Sequence, residues 1–146
     1  MLRELKALAR RLGIEDRVEW RGAQPQEVVL DAYRAADIFA LPCRISDDGD
    51  RDGLPNVLLE AQTQRLPCVS TRISGIPELI EHERTGLLVE PRAIAALSDA
   101  LSRLITDPEL RRRLGESGFA RTTRSFSVEA GADRLAARFV EHAMAP

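Results

Sequence analysis

The stretch Asp52-Gly53-Leu54-Pro55-Asn56-Val57-Leu58-Leu59-Glu60 carries a carboxylate at each end, with a glycine and a proline between them. Pro55 suits the start of a helix, and Leu54 to Gln64 have helical apolar spacing, so a loop is expected to deliver a helix N-terminus here. The N–H groups of Leu54, Asn56 and Val57 would point out of that helix start, where the positive end of the dipole favours a phosphate; Pro55 contributes none. Glu60 shares a helix face with Asn56 and Val57, and helical side chains lean toward the N-terminus, so its carboxylate reaches a group beside the phosphate. A ribose diol is a suitable partner. Two carboxylates next to a diphosphate repel it, so their presence makes sense only where hydroxyls donate hydrogen bonds to them and cations lie nearby. A sugar plus a ribose supplies those hydroxyls.

The elements that must position this stretch follow from the periodicity. Leu2, Leu5, Leu8 and Leu12 recur at helical spacing and Gly13 follows as a stop. Val18-Glu19-Trp20 reads as a short strand ended by Gly22, and Gln26 to Ala36 as a helix with Val29, Leu30 and Tyr33 on one face. Ile38-Phe39-Ala40-Leu41, Pro67-Cys68-Val69-Ser70 and Gly86-Leu87-Leu88-Val89 read as further strands, with a short helix at Pro77 to Glu81. Helices finish the chain: Ile94 to Ile105, one capped by Asp107-Pro108, and a last one capped by Ser127 that carries Val128, Leu135, Phe139 and Val140. Short apolar strands alternating with helices predict an α/β fold, a Rossmann-like doubly wound parallel sheet of about four strands. Ligands bind at the carboxyl ends of such strands, and the polar, acidic segment from Pro42 to Gly53, the longest loop, leaves one of those ends.

The stretch from Asp52 to Glu60 resembles the acidic-x7-Glu motif of the family-4 retaining glycosyltransferases, and Gly53-Leu54-Pro55-Asn56 resembles that motif's Gly-hydrophobic-small tract. The resemblance covers nearly the whole chain through Ala35-Ala36-Asp37-Ile38-Phe39-Ala40-Leu41-Pro42, Leu66-Pro67-Cys68-Val69-Ser70-Thr71, Ser74-Gly75-Ile76-Pro77-Glu78-Leu79-Ile80 and Thr85-Gly86-Leu87-Leu88-Val89, in that order. It implies that Asp52 holds hydroxyls of the transferred sugar in the catalytic site. Gly53, Leu54, Pro55 and Asn56 contact sugar and diphosphate by backbone, and Glu60 binds the ribose. Asp52 stands where Glu is commoner, and its shorter side chain changes which sugar hydroxyl is reached. The family implies a UDP- or GDP-sugar as substrate, retention of configuration, no cofactor and no bound metal. The subgroup resembled most assembles exopolysaccharide and lipopolysaccharide, with a glycan or lipid-linked acceptor.

Residues 1–146 are accordingly read as a partial nucleotide-sugar-binding domain, an N-terminally truncated GT-B C-terminal domain. In the family a strand ending in an Arg/Lys-bearing loop and a second ending in a Gly-rich turn precede the opening helix, and a separate domain binds the acceptor. The expectation is that these parts, and any membrane contact through them, lie outside this chain, which alone does not turn over. Two other readings stay open: a non-catalytic interaction module on the same scaffold, and a GT-B sugar-nucleotide epimerase, which needs carboxylates poised for acid-base work.

Composition narrows the partners. Lys and Arg total 21 against 23 Asp and Glu, a net charge of -2, which offers no basic field for nucleic acid or an anionic membrane surface and disfavours both as partners. Cys43 and Cys68 form neither a Cys-x-x-Cys pair nor a disulfide framework, so a reduced, cytoplasmic setting is expected, with the whole enzyme peripheral to the inner face of a membrane. Asp48, Asp50, Asp52 and Gly53 imitate the start of an EF-hand loop, but the position requiring a bidentate glutamate is Leu59, and Pro55 interrupts the loop. Isolated His82 and His142 are expected to be surface residues. Ser74-Gly75-Ile76-Pro77-Glu78 is either a simple turn and helix start or part of a sugar pocket. Arg44, Arg51 and Arg72 are placed to approach a phosphate, although exposed arginines usually serve only solvation.

Overall fold

The computed structural model describes residues 2–46, 49, 51 and 53–143. Helix α1 (Leu2–Arg11) stops where Gly13 takes φ +64. Gly13 N donates to Arg10 O and Ile14 N to Ala9 O, both at 3.0 Å, the paired bonds of a Schellman ending. Its leucine stripe is unburied: Leu2, Leu5, Leu8 and Leu12 are all exposed, and only Ala9 is buried. A 3-10 turn (Glu15–Arg17) leads to α2 (Gln26–Ala35) and strand β1 (Phe39–Leu41). Helix α3 (Asn56–Thr63) carries the chain to β2 (Cys68–Thr71), and α4 (Ile76–Leu79) to β3 (Leu87–Val89). Helices α5 (Ile94–Thr106), α6 (Pro108–Ser125) and α7 (Val128–Ala143) follow. No helix of the described residues is long and apolar enough to cross a membrane.

The sheet is parallel throughout, in the order β1-β2-β3, with Phe39 opposite Cys68 and Val69 opposite Leu87. Strand residues alternate between two cores. Cys68 and Leu88 join Tyr33, Leu58, Ala61, Ile76 and Leu79 on one side, while Val69, Leu87 and Val89 join Ala100, Leu104, Leu110 and Leu114 on the other. Helices therefore cover both faces, as in a doubly wound sheet.

The expected count of about four strands is corrected to three among the described residues. Val18-Glu19-Trp20 lies outside any strand because a strand exists only when paired, and the described residues give it no neighbour. Among the described residues β1 has a neighbour on one side only, so this edge of the sheet is open there, and β1 is only half-buried whereas β2 and β3 are buried throughout. The short helix begins at Ile76 and ends at Leu79, slightly earlier than the expected Pro77 to Glu81. Asp107 caps α6 by accepting from Leu110 N at 2.8 Å, and Ser127 caps α7 by accepting from Ala130 N at 3.1 Å.

Helices α3 and α6 meet across two glycines. A Cβ on Gly115 would lie 2.1 Å from Arg65 O, and one on Gly118 would lie 3.0 Å from Gln62 Nε2. Into this contact projects the buried Gln62, whose Nε2 donates to Thr85 O at 2.9 Å while its Oε1 accepts from Thr122 Oγ1 at 2.7 Å. Arg65, which ends α3 with φ +58, stacks its guanidinium 4.0 Å from the Phe119 ring centre and donates to Glu116 at 3.2 Å.

The glycines give a paired test. Gly115→Ala forces backbone apart and is expected to lower stability by about 1–3 kcal/mol, despite the better helix propensity of alanine. Gly131→Ala, in α7 with nothing within 4 Å of the new Cβ, is expected to raise it by up to about 1 kcal/mol. Opposite shifts of the urea midpoint are the check; equal shifts would contradict the close α3–α6 approach.

Candidate functional site at the head of helix α3

The loop that leaves β1 is fixed first by the neighbouring strand. Ser70 Oγ donates to Leu41 O and Thr71 Oγ1 to Cys43 O, both at 2.7 Å, so two β2 hydroxyls hold the point where the chain departs. The loop returns at Gly53, Leu54 and Pro55, and α3 begins at Asn56 with Pro55 as its N-cap. The first helical bond runs from Leu58 N to Pro55 O at 3.1 Å, so the N–H groups of Asn56 and Val57 precede the intrahelical ladder, as phosphate binding at a helix start requires. Gly53 and Asn56 are exposed, and Leu54, Pro55 and Glu60 half-buried, leaving the face open to a ligand. Asp52 lies outside the described residues.

The second loop brought here is Ser74-Gly75-Ile76. Gly75 N donates to Gly53 O at 2.7 Å, and a Cβ on Gly75 would sit 3.0 Å from that oxygen and 3.4 Å from Leu54 Cβ. Ser74, at φ +49, makes the turn into this contact. The segment that read as either a simple turn or a pocket wall therefore abuts the Gly53 loop directly. Behind it, Ile76 and Leu79 are fully buried and anchor α4.

Arg121, which sequence reasoning did not single out, secures the far end of α4. Its Nε donates to Leu79 O at 2.9 Å, its Nη2 to Glu78 O at 2.7 Å, and its Nη1 to the Glu81 carboxylate. Cations at a helix C-terminus satisfy its last carbonyls. No sequence signal marks Arg121, because the partners are distant in the chain and α6 is rich in arginine.

Glu60 lies on α3 beside Tyr33, whose hydroxyl donates to Glu60 Oε2 at 3.4 Å. The Tyr33 ring is buried and meets Phe39 edge-on, with centres 5.4 Å apart. Burial raises the Tyr33 pKa above 10.0, and the negative charge and hydrogen-bond acceptance of Glu60 raise it further. Tyr33 read from sequence only as part of an apolar helix face; the geometry makes it the flank of Glu60.

Other candidates fall elsewhere. Arg72 Nε pairs with Glu90 at 3.3 Å, and Arg44 lines a largely apolar cavity with Pro42, Cys43, Val89 and Ile94 at the carboxyl ends of the strands. His82 is exposed, and its Nδ1 accepts from Leu88 N at 3.0 Å, a structural role. Burial pushes the Cys68 thiol up to about 12, so it is inert as a nucleophile. Among the described residues no group of three His, Cys, Asp or Glu is placed to hold a metal.

Tyr33 is the chain's single tyrosine, so its titration can be read directly from tyrosinate absorbance. Its folded pKa is raised, so the stability it contributes is complete below the ordinary tyrosine value and is lost as pH rises through the folded value. Glu60→Gln is expected to bring the midpoint only part of the way down, because burial is the larger cause. A midpoint unmoved by Glu60→Gln would show that the carboxylate does not face the phenol.

Residues 1–121 match the family described as glycosyl transferases group 1. The chain is 32% identical over 136 residues to a GDP-mannose-dependent alpha-(1-6)-phosphatidylinositol monomannoside mannosyltransferase of Mycobacterium tuberculosis, a match covering 92% of this chain and 35% of that protein. It is 45% identical over 91 residues to the amylovoran biosynthesis glycosyltransferase AmsK of Erwinia amylovora, covering 62% of this chain and 22% of that protein. The structure of Anabaena Alr3699/HepE in complex with UDP-glucose superposes with a TM-score of 0.81 at 23% identity, covering 96% of this chain and 36% of that one. The chain thus spans about a third or less of the length of these proteins. With its parallel α/β sheet and the match over most of its length, the chain belongs to the glycosyl transferases group 1 family and has the fold of GT-B glycosyltransferases.

Proposed function

We propose that this chain supplies the donor-binding part of a retaining glycosyltransferase, which moves a sugar from a nucleoside-diphosphate sugar to a hydroxyl acceptor in polysaccharide or glycolipid assembly. The observation that carries this reading is the bond from Gly75 N to Gly53 O, which sets two backbone loops side by side at the start of α3, with Glu60 further along that helix. In this reading the N–H groups of Asn56 and Val57 take the diphosphate, Gly53 to Pro55 line the sugar, and Glu60 accepts hydrogen bonds from the ribose diol. Asp52 is assigned to hydroxyls of the transferred sugar on the strength of its motif position. The relatives support a nucleotide donor, one being GDP-mannose-dependent and a fold neighbour holding UDP-glucose.

In the transfer step, the acceptor oxygen bonds to the anomeric carbon on the face from which the nucleoside diphosphate leaves. The bond from that carbon to the phosphate oxygen breaks, and the departing diphosphate gains negative charge. Helix-start N–H groups already aimed at it stabilise that charge without rearranging, which is worth more than a strong base. No metal is assigned a part, and the glycan or lipid-linked acceptor is assigned to residues outside this chain, so binding is the quantity to measure.

Titration of the chain with UDP and with GDP is expected to show weak binding, and Glu60→Ala to weaken it by about ten- to a hundredfold, the loss of charge-assisted bonds to two hydroxyls. Against the 2′,3′-dideoxy nucleotide, wild type and Glu60→Ala should bind alike. Equal affinity of the two proteins for the ordinary nucleotide would count against the ribose role.

A further inference from the structure

A cationic cavity lies at the other end of the sheet, away from the Gly53 loop. The turn that enters β3 contributes Arg84 and Thr85, and one face of α6 contributes Arg113, Ser117, Arg121 and Arg124. The α6 residues recur at helical spacing and so project in the same direction. Parallel strands place the Gly53 loop beyond the carboxyl end of β1 and this turn before the amino end of β3, so the cavity is separate from the candidate donor site. Its volume is about 370 Å³, large enough for a phosphate group with its substituents.

The charges here are unbalanced. Among the described residues Glu81 is the one carboxylate lining the cavity, and it serves two guanidiniums, those of Arg121 and of Arg84 at 2.5 Å. Arg121 is further occupied by the carbonyls of Glu78 and Leu79. Arg113 gives one N–H to Glu83 O at 3.1 Å, and the Glu83 carboxylate on the rim is held by Arg103 at 2.8 Å. Arg124 has no ion pair among the described residues. This concentration of positive charge occurs in a chain of net charge -2, so it is not a sample of a generally basic surface. Converging guanidiniums repel one another, and each offers a planar fork of donors that matches phosphate oxygens. The hydroxyl of Ser117 adds a neutral donor.

We propose that this cavity is a second anion site that takes a phosphate-bearing group, bound chiefly by Arg84, Arg113 and Arg124, with Arg121 holding the floor. A soluble oligophosphate and the headgroup of an anionic phospholipid share the required chemistry.

The chain is titrated with inorganic diphosphate, and separately mixed with phosphatidylcholine vesicles with or without phosphatidylglycerol. Binding to diphosphate alone identifies a soluble ligand, and binding only to the phosphatidylglycerol vesicles identifies a headgroup; either outcome supports the site if the arginine variants lose it. Arg113→Ala and Arg124→Ala alter exposed side chains and are each expected to weaken binding about tenfold or more, as is Arg84→Ala from the other element. Arg3→Ala, an exposed arginine of α1 that lines neither site, serves as the control that leaves this binding unchanged, and a thermal melt confirms that each variant is folded. The proposal is overturned if wild type binds neither probe, or if all three arginine variants bind as wild type does.

Discussion

The buried amide of Gln62 fixes the rotation of α3, and the arrangement of both ends of that helix depends on it. Its two polar ends have different partners on different elements, Thr85 O before β3 and Thr122 Oγ1 on α6. Turning α3 would strand the amide among apolar neighbours, at a cost of about 1–3 kcal/mol for each unsatisfied group. Because Gln62 points inward, Glu60 is directed to the Tyr33 flank and Asn56 to the open head of the helix. Glycines at 115 and 118 let α6 come close enough for this lock to close.

Part of this was legible in the chain alone, for reasons that differ by element. The head of α3 was readable because helical periodicity and the proline at its start are local properties, and the placement of Glu60 follows from them. The strands at Phe39, Cys68 and Leu87 were readable as apolar runs. Val18-Glu19-Trp20 looks the same locally, but a strand is defined by what it pairs with, and nothing within the segment states whether a neighbour exists. The contact between Gly75 and Gly53, the cap that Arg121 places on α4 and the bond from Tyr33 to Glu60 were illegible for a related reason. Each joins residues far apart in sequence, through groups that every peptide or many arginines possess. Asp52, the residue on which the sugar assignment rests most, is found by its motif position and itself lies outside the described residues.

The apolar surface is unevenly covered. The leucines of α1 are exposed on one stripe, Val128, Leu135 and Phe139 of α7 on another, and the outer edge of β1 is unpaired among the described residues. Open strand edges and contiguous apolar patches invite association with other chains or segments. β3 is the opposite edge strand, but its residues, like those of the central β2, are buried throughout. Stability therefore concentrates around the central and third strands, which also carry the crossovers holding the candidate site.

The tie between Gly75 and Gly53 runs from one main chain to another. Its atoms are present whatever side chains flank them, provided position 75 stays bare. The half-buried Leu54 can therefore change size while the separation of the two loops stays the same, whereas the fully buried Ile76 is held by the core. A scaffold of this kind can drift in what it recognises without having to re-invent how it holds together.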